Sequence, residues 1–201
     1  MTPPHTPPAA AGAQPCPGTA EREYRSPPPP RGTARVVGSL AVGESRLRQA
    51  VRALLLDEDD HVLLVHFDWQ GLDLEGGFWA CPGGGVDLGE SHEEALRREL
   101  AEELGLDGFD IEGAVWRLTR LFPMTHWDGQ TEVTYLVRAP RFEPRPRVDL
   151  AAENVHGIRW FPPAEIAAEQ VTFSPRDLAP QLARVLAEGV PDVLHEIPAL
   201  G

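Results

Sequence analysis

Alternating apolar and polar positions divide much of the chain into short strands joined by polar turns. The run QAVRALLLDEDDHVLLVHF predicts two strands around an acidic turn at Asp57–Asp60. LDLEGGFWACP predicts a glycine-rich loop that leads into a short strand ending at Pro82. IEGAVWRLTRLF and TEVTYLVRAPRF predict strands on either side of the polar loop PMTHWDGQ, and HGIRWF predicts a further strand.

The segment after the short strand has the pattern of a capped helix. Ser91 is a favourable N-cap, and Glu94 three residues later completes an S-x-x-E capping box. Gly105 supplies the C-terminal stop. An apolar stripe recurs at helical spacing: Leu96, Leu100 and Leu104. We therefore predict one amphipathic helix between Ser91 and Gly105.

Two further helices are predicted near the end of the chain. PPAEIAAEQ is a short helix opened by prolines. SPRDLAPQLARVLAEG is amphipathic, with Ser174 as the cap, Pro175 in the first turn and Gly189 as the stop. Because helices interleave with strands that leave room for hairpins, the predicted fold class is α/β, a layered domain built on a mixed β-sheet.

The composition of residues 1–40 differs from that of the rest of the chain. This segment is rich in Pro, Ala, Gly and Thr, and it contains too few large apolar residues to offset the entropy of ordering it. We predict a disordered N-terminal tail there. The folded domain is predicted at residues 47–190, followed by a C-terminal tail at residues 191–201.

The formal net charge of −13 limits the partners that the chain can attract. Its 18 basic residues are all arginines. Such a chain has no overall basic field to draw a nucleic-acid polymer or an anionic membrane surface, so neither is an expected partner. A polyanionic small molecule would also be repelled unless metal ions neutralised the charge between them.

The cysteines predict a reducing compartment. Cys16 and Cys81 are too few and too far apart in sequence to form a disulfide framework. The chain has no apolar run like that of a signal peptide, about 7–15 residues, and none like that of a membrane span, about 18 residues. We therefore predict a cytoplasmic protein.

Three glutamates of the first predicted helix, Glu99, Glu102 and Glu103, stand at positions i, i+3 and i+4. Helix geometry places their carboxylates on one face, where like charges repel each other and destabilise an isolated helix. A solvated surface is one explanation, because charge runs usually face water. Other acids of this helix fit that explanation through arginines four residues later, in the predicted pairs Glu93–Arg97 and Glu94–Arg98.

A solvated face does not explain Glu99 and Glu103, because neither has a basic residue three or four positions later. The alternative is a site for a hard divalent cation. Mg²⁺ and Mn²⁺ prefer carboxylate oxygens, backbone carbonyls and water, and a bound cation would turn the repulsion into attraction. The sequence PGGG just before the helix supplies glycines that let the backbone approach a metal or a phosphate closely. The spacing alone is compatible with both explanations.

Residues 84–106 resemble the Nudix box, G-x5-E-x7-R-E-U-x-E-E-x-G-U, where U is a bulky aliphatic residue. The matching positions are Gly84, Glu90, Arg98, Glu99, Leu100, Glu102, Glu103, Gly105 and Leu106. Every fixed position is matched, and the motif lies in the strand, loop and helix context of that family. The resemblance covers about residues 47–190, implies a Nudix-type α/β/α sandwich and favours the cation site.

The resemblance to MutT-like Nudix hydrolases implies a hydrolase that requires Mg²⁺ or Mn²⁺. Such enzymes cleave the pyrophosphate bond of a nucleoside diphosphate linked to another moiety, with water attacking a phosphorus. The expected substrate is a small molecule, a (d)NTP or related nucleotide. The alternatives are an ADP-ribose or nucleotide-sugar pyrophosphatase and a nucleotide-binding regulator without catalysis. A homodimer is common in the family.

The position of each residue in the box implies its role. Glu102 and Glu103 are expected to bind metal directly, and Glu99 to bind a further metal or to orient the attacking water. The carbonyl of Gly83, just before the box, is implied as another ligand. Arg98 is expected to hold the glutamates by ion pairing.

Residues outside the box are expected to complete the catalytic and substrate-binding site. Glu153, in AAENVHGIRW, is the first candidate for a further acidic ligand or base, and Glu132 is the second. The substrate is expected to contact the glycines of the loop and two side chains of PMTHWDGQ: Gly84, Gly85, His126 and Trp127. Trp69 and Trp116 are further candidates for stacking on a base, with packing in the core as the alternative for every tryptophan.

Overall fold

The computed structural model of the protein describes residues 45–68, 76–122, 126–168 and 170–198. These residues belong to one compact unit. The predictions for the N-terminal tail at residues 1–40, for Cys16 and for Trp69 lie outside the described residues. Among the helices that are described, none is long and apolar enough to cross a membrane.

Strands and helices alternate along the described chain much as the apolar pattern predicts. The strands are β1 (Leu47–Leu56), β2 (Val62–Phe67), β3 (Phe78–Ala80), β4 (Asp110–Leu121), β5 (Gly129–Arg138), β6 (Val155–Phe161), β7 (Phe173–Ser174) and β8 (His195–Ile197). The helices are α1 (His92–Leu104), α2 (Pro163–Ala167) and α3 (Leu178–Glu188), with a 3₁₀ turn at Leu150–Glu153.

The strands form one mixed sheet in the order β7-β3-β2-β1-β5-β4-β8, with β6 paired to β2. β1 runs parallel to β5 over ten residues, from Leu47 beside Gly129 to Leu56 beside Arg138. Against β2, by contrast, β1 pairs only at its end, where Leu55 and Leu56 face Leu63 and Val62. The early part of β1 therefore has one edge that another segment can pair with.

Two hydrophobic cores cover the two faces of the sheet, and β1 contributes to both because its side chains alternate. The core beneath α1 includes Val51, Ala53, Leu55, Leu96, Leu100 and Leu104. The core beneath α3 includes Leu54, Leu56, Leu178, Leu182 and Val185. Helices on both faces of a mixed sheet confirm the predicted α/β/α sandwich.

Helix α1 has the predicted ends. The Ser91 hydroxyl accepts a hydrogen bond from the Glu94 N–H at 3.2 Å, and the Glu94 carboxylate accepts one from the Ser91 N–H at 2.8 Å. Gly105 ends the helix with φ +70°, a left-handed conformation that favours glycine. The predicted pair Glu93–Arg97 is present at 2.8 Å.

The predicted pair Glu94–Arg98 is wrong. The Glu94 carboxylate is engaged in the capping box, where it also accepts from the Ser91 hydroxyl at 2.7 Å. Arg98 extends toward Glu90 in the preceding loop instead, at 2.9 Å. The sequence spacing allows Arg98 to pair with Glu94. The loop before α1 favours Glu90 instead, because it brings the Glu90 carboxylate within reach of the Arg98 guanidinium.

The start of α3 also differs from the prediction. The helix begins at Leu178 with Asp177 as N-cap, and not at Ser174. Ser174 belongs to β7, where it pairs with Ala80 of β3, and its hydroxyl accepts a hydrogen bond from Arg120 at 2.7 Å. The predicted stop at Gly189 is confirmed.

The segment predicted as a C-terminal tail contributes an edge strand. β8 pairs in parallel with β4, so that His195 lies beside Trp116 and Ile197 beside Leu118. Ile197 is only 4% exposed. Three residues are too short for an alternation pattern to reveal, and this strand exists because β4 has a free edge to receive it.

Substitution of Leu100 tests how α1 packs on the sheet. Its side chain is fully buried in the core shared with β1, so we expect Leu100→Ala to lower the free energy of unfolding by about 2–5 kcal/mol. Urea denaturation followed by circular dichroism measures the change. Leu88 is 89% exposed, and Leu88→Ala should change the free energy of unfolding by less than about 0.5 kcal/mol. Equal effects of the two substitutions would contradict this account of the core.

Candidate functional site

A cavity of about 380 Å³ opens where α1 meets the first part of β1. Its walls come from α1, from strands β1 to β5 and β7, and from residues 82–86, which we call the glycine segment. The charged residues in its lining are Arg48, Arg52, Arg98, Arg120, Glu99, Glu102, Glu103, Glu132 and Glu153. The three glutamates of the box thus lie on one cavity, as do Gly83, Gly84 and Gly85.

The glycine segment takes the free edge of β1. The N–H groups of Val51 and Ala53 donate to the carbonyls of Gly84 and Pro82, each at 2.9 Å. The Val86 N–H donates to the Gln49 carbonyl at 3.0 Å. Gly83 adopts φ +128° within this pairing, and a Cβ there would collide with the Val51 carbonyl. The backbone of the loop is therefore fixed by β1, and Gly83 is required for it.

Two glutamates of α1 reach the glycine segment from the other side. The Glu103 carboxylate accepts a hydrogen bond from the Gly83 N–H at 2.8 Å and is only 2% exposed. The Glu99 carboxylate lies against Gly84, where a Cβ would come within 2.5 Å of it. The third glutamate, Glu102, is more open, with 43% of its side chain exposed. Gly84 therefore leaves the space that the Glu99 carboxylate fills.

Arg98 joins α1 to the loop before it. Its guanidinium binds both oxygens of Glu90, at 3.0 and 2.9 Å, and donates to the Gly85 carbonyl at 2.8 Å. It also donates to Glu99 at 2.7 Å and reaches Glu102 at 3.4 Å. The hydrogen bonds from Arg98 lower the pKa of Glu90 below its ordinary value. Arg98 thus restrains the carboxylates and the glycine segment with a single side chain.

A second set of charges lies on the strand side of the cavity. Arg52 donates to the Gly83 carbonyl and to Glu132 at 3.4 Å. Glu132 is 8% exposed and also faces Arg120 at 3.6 Å and the Gln130 amide at 3.1 Å. Glu132, the second candidate for an additional acid, is thus engaged by two arginines.

Sequence reasoning missed Arg48, Arg52 and Arg120 as site residues. A usable signal was present in β1, where Arg52 interrupts the apolar run VRALLL and Arg48 precedes it by four residues on the same strand face. An arginine inside a buried strand needs an anionic or polar partner. The position of those partners on β5 and in the glycine segment was not readable from the sequence.

The carboxylates share the cavity without surrounding one point. Within the described ranges, no three His, Cys, Asp or Glu side chains are grouped so that they could hold a metal ion. Arg98 engages Glu99 and Glu102, and the Gly83 N–H engages Glu103. Arg52 likewise occupies the Gly83 carbonyl that the sequence implies as a ligand. The donor set itself, three carboxylates and a backbone carbonyl, fits the chemistry of Mg²⁺ and Mn²⁺.

The predicted residues outside the box divide into two groups. Glu153 is exposed and lines the cavity. His126 is exposed and Trp127 lies beneath the guanidinium of Arg46, 5.6 Å from it; neither is among the described residues of the cavity lining. Their predicted contact with the substrate receives no support from this geometry. Trp116 is 1% exposed in the core, so packing accounts for it.

Burial raises the pKa values of two of the box glutamates, Glu103 and Glu99. It raises the pKa of the Glu103 carboxyl from 4.5 to about 7, and the nearby Arg52 charge and the Gly83 N–H offset only part of the rise. Burial also raises the pKa of Glu99, against the hydrogen bond from Arg98. Both carboxyls would be stabilised in their charged form by a cation placed beside them.

Glu103 gives the metal-free protein a defined pH dependence. Between pH 4.5 and about 7, the folded protein keeps a proton on Glu103 that the unfolded chain has lost. This group therefore lowers the free energy of unfolding as the pH rises through that window. In Glu103→Gln no charge is buried and the amide oxygen can still accept from Gly83. We expect the variant to exceed wild type by about 2 kcal/mol near pH 8, and by much less near pH 5.

Urea denaturation in the presence of a chelator, repeated across that pH range, measures this difference. Glu93→Gln is the matched control, because Glu93 lies on the same helix with 63% of its side chain exposed. A difference between wild type and Glu103→Gln that stays constant with pH would show that the buried carboxyl does not titrate in this window.

Comparison with known proteins assigns the chain to a family. A family model described as the NUDIX domain matches residues 46–182, more than half of the chain. The RNA pyrophosphohydrolase of a Nitratiruptor species is 41% identical over 107 residues, which are 49% of this chain and 66% of that protein. The nucleoside triphosphatase NudI of Escherichia coli is 37% identical over 93 residues, which are 46% of this chain and 64% of that protein.

A solved structure supports the fold alone. The NUDIX hydrolase from Nitrosomonas europaea has a TM-score of 0.55 and 22% identity, covering 73% of this chain and 94% of that chain. The chain spans between 42% and 66% of the length of three curated RNA pyrophosphohydrolases that it matches. The family model covers most of the folded region, and the structure has the α/β/α sandwich with the box glutamates on one cavity. The chain therefore belongs to the Nudix family.

Proposed function

We propose that this protein is a divalent-metal-dependent hydrolase that cleaves the pyrophosphate bond of a nucleoside diphosphate linked to another moiety. The preferred substrate in this proposal is a (d)NTP or a related nucleotide. The observation that carries it is the convergence of Glu99, Glu102 and Glu103 with the glycine segment on one cavity. Membership of the Nudix family supports the same reaction class.

The proposed metal ligands are the carboxylates of Glu102 and Glu103 and the carbonyl of Gly83. Glu99 would hold a further ion or orient the attacking water. Bound Mg²⁺ or Mn²⁺ would neutralise the diphosphate charge and lower the pKa of a bound water. The raised pKa of Glu103 fits this assignment, because a buried carboxyl that resists ionisation alone gains most from a neighbouring cation. The Gly83 carbonyl oxygen has two lone pairs, so it could bind metal with one and accept from Arg52 with the other.

The chain's other residues would orient the groups that react. Arg98 would keep Glu99 and Glu102 facing the cavity through the bonds it makes to both. Glu153 stays the first candidate for an additional base, since it lines the cavity and its carboxylate is exposed. Glu132 is the weaker candidate, because Arg52 and Arg120 both neutralise it. In the reaction, water adds to a phosphorus and the anhydride P–O bond breaks, giving two phosphorylated products.

The substrate choice rests on the relatives' names. A nucleoside triphosphatase and several RNA pyrophosphohydrolases among the relatives support a 5′-triphosphate substrate. These names also favour a second candidate function, removal of pyrophosphate from the 5′ end of an RNA. That function would need an RNA substrate, contrary to the prediction from net charge that no nucleic-acid polymer is a partner. ADP-ribose, nucleotide sugars and a regulator without catalysis are the remaining alternatives. A cytoplasmic location and a homodimer stay predictions.

Substitution of the metal-binding carboxylates tests the proposal. A screen with Mg²⁺ or Mn²⁺ should find turnover of nucleoside triphosphates, of a 5′-triphosphorylated oligonucleotide or of ADP-ribose, with the products identified by mass. Glu102→Gln and Glu103→Gln should each reduce kcat by about 100-fold or more, because each removes charge that holds the cation. A chelator should abolish turnover.

Glu93→Gln is the control for these variants. It removes a carboxylate from the same helix, but Glu93 pairs with Arg97 at the surface and is not among the residues that line the cavity, so turnover should match wild type. Thermal melting checks that every variant is folded. Wild-type rates in both cavity variants, or turnover that survives the chelator, would refute the metal-dependent mechanism.

A further inference from the structure

The arginines of the cavity differ in what neutralises them. Arg52 and Arg120 both face Glu132, at 3.4 and 3.6 Å. Arg98 binds Glu90 and Glu99. Arg48 is the exception: among the described residues it forms no ion pair, and its one hydrogen bond goes to the neutral Gln130 amide oxygen at 3.2 Å. A guanidinium has five N–H donors, so most of those of Arg48 can still donate to a ligand.

The position of Arg48 is fixed from two sides. On β1 it lies beside Gln130 of β5 in the parallel register. The next residue, Gln49, accepts the Val86 N–H at 3.0 Å, and Ala50 forms a bridge with Gly85. The guanidinium consequently lies directly over the backbone of Gly85, where a Cβ would collide with it. Arg48 is thus a half-buried cation whose guanidinium faces the cavity.

An unpaired, half-buried guanidinium points to an anion as its partner. Burial lowers the pKa of Arg48 and the nearby charge of Arg52 adds to this, while the charges of Glu99, Asp87 and Glu153 act in the opposite direction without cancelling it. Arginine nevertheless stays protonated, and its planar fork matches the oxygens of a phosphate. A phosphate at this position would supply a direct ionic partner and hydrogen-bond acceptors, which the described residues do not.

Arg48 lies next to the proposed diphosphate site. Glu99 contacts Gly84 and Arg48 contacts Gly85, which are successive residues of the glycine segment. Both side chains line the cavity, and the Glu99 carboxylate lies near enough for its charge to act on Arg48. A phosphate chain that starts at cations held by the carboxylates would extend along the same cavity toward Arg48. A sugar attached at the same point would present hydroxyl groups, which give an arginine no charge to bind.

We propose that Arg48 binds the phosphate that lies beyond the cleaved diphosphate and so makes the enzyme prefer a 5′-triphosphate over a nucleoside diphosphate sugar. This inference rests on the proposed function and names the substrate class of the same site. The shared chemistry is a 5′-triphosphate, carried either by a free nucleotide or by the end of an oligonucleotide. Arg48 is in this account a specificity residue that touches the substrate.

Kinetics of Arg48→Gln on matched substrates test the proposal. For a nucleoside triphosphate, kcat/KM should fall by about 10- to 100-fold, mainly through a higher KM, since a charge-assisted contact is lost. If ADP-ribose is a substrate, its kcat/KM should change less than about threefold. If ADP-ribose is only a competitive inhibitor, its inhibition constant should change by less than the same factor. Arg48→Lys should recover part of the loss, because it restores the charge without the fork.

The controls separate this role from a structural one. Arg97→Gln removes an arginine that pairs with Glu93 at the surface and should leave both substrates unaffected. A 5′-triphosphorylated oligonucleotide, assayed in parallel, shows which source of the triphosphate depends more on Arg48. Equal losses on the triphosphate and on ADP-ribose, or no loss on either, would overturn the proposal.

Binding of inorganic triphosphate in the presence of Mg²⁺ keeps the inference testable if no substrate is turned over. Calorimetry should show about 10-fold weaker binding to Arg48→Gln than to wild type. Arg48-dependent binding without turnover would refute the proposed hydrolase activity and leave this inference standing. Equal binding to both proteins would refute the inference, whatever the activity.

Discussion

The backbone pairing between the glycine segment and β1 is the constraint on which the site depends. β2 pairs with β1 only at its end, which leaves the early edge of β1 for residues 82–86. Three glycines there expose backbone on both sides, so that charged groups can lie directly against it. Glu103 and Arg52 meet Gly83, Glu99 meets Gly84, and Arg48 and Arg98 meet Gly85. Side chains on the segment would displace these groups.

The cavity is also organised by charge. The wall formed by α1 carries carboxylates restrained by Arg98, and the wall formed by the strands carries arginines arranged around Glu132. A chain with a net charge of −13 would repel a nucleotide at long range. Inside the cavity, cations bound to the carboxylates and the arginines opposite them would act on the phosphates together. The arrangement thus suits a phosphate chain that lies between the two walls.

Family membership indicates the reaction class, and the cavity holds the residues that can select the substrate. Nudix membership, with curated relatives that match over only part of their length, supports the reaction class and leaves the substrate to be decided by this chain. The residues that can decide it are those outside the box. Among the arginines that the structure describes in the cavity lining, Arg48 differs because its one hydrogen bond goes to a neutral group. Specificity would then come from one strand residue, while the chemistry would come from the helix.

The sequence by itself determined the local features: the capped helix α1, the main strands, the stop at Gly189 and the grouping of Glu99, Glu102 and Glu103. These follow from periodicity, capping chemistry and a motif within one segment. Only the tertiary structure decided that Arg98 turns to Glu90, that Ser174 joins a strand, that residues 195–197 form an edge strand and that Arg48 lies over Gly85. The Arg98–Glu90 pair depends on how the loop before α1 folds back on the helix. The other features depend on groups far apart in sequence or on a free strand edge, and a local sequence pattern does not identify the distant residue or segment that supplies the contact.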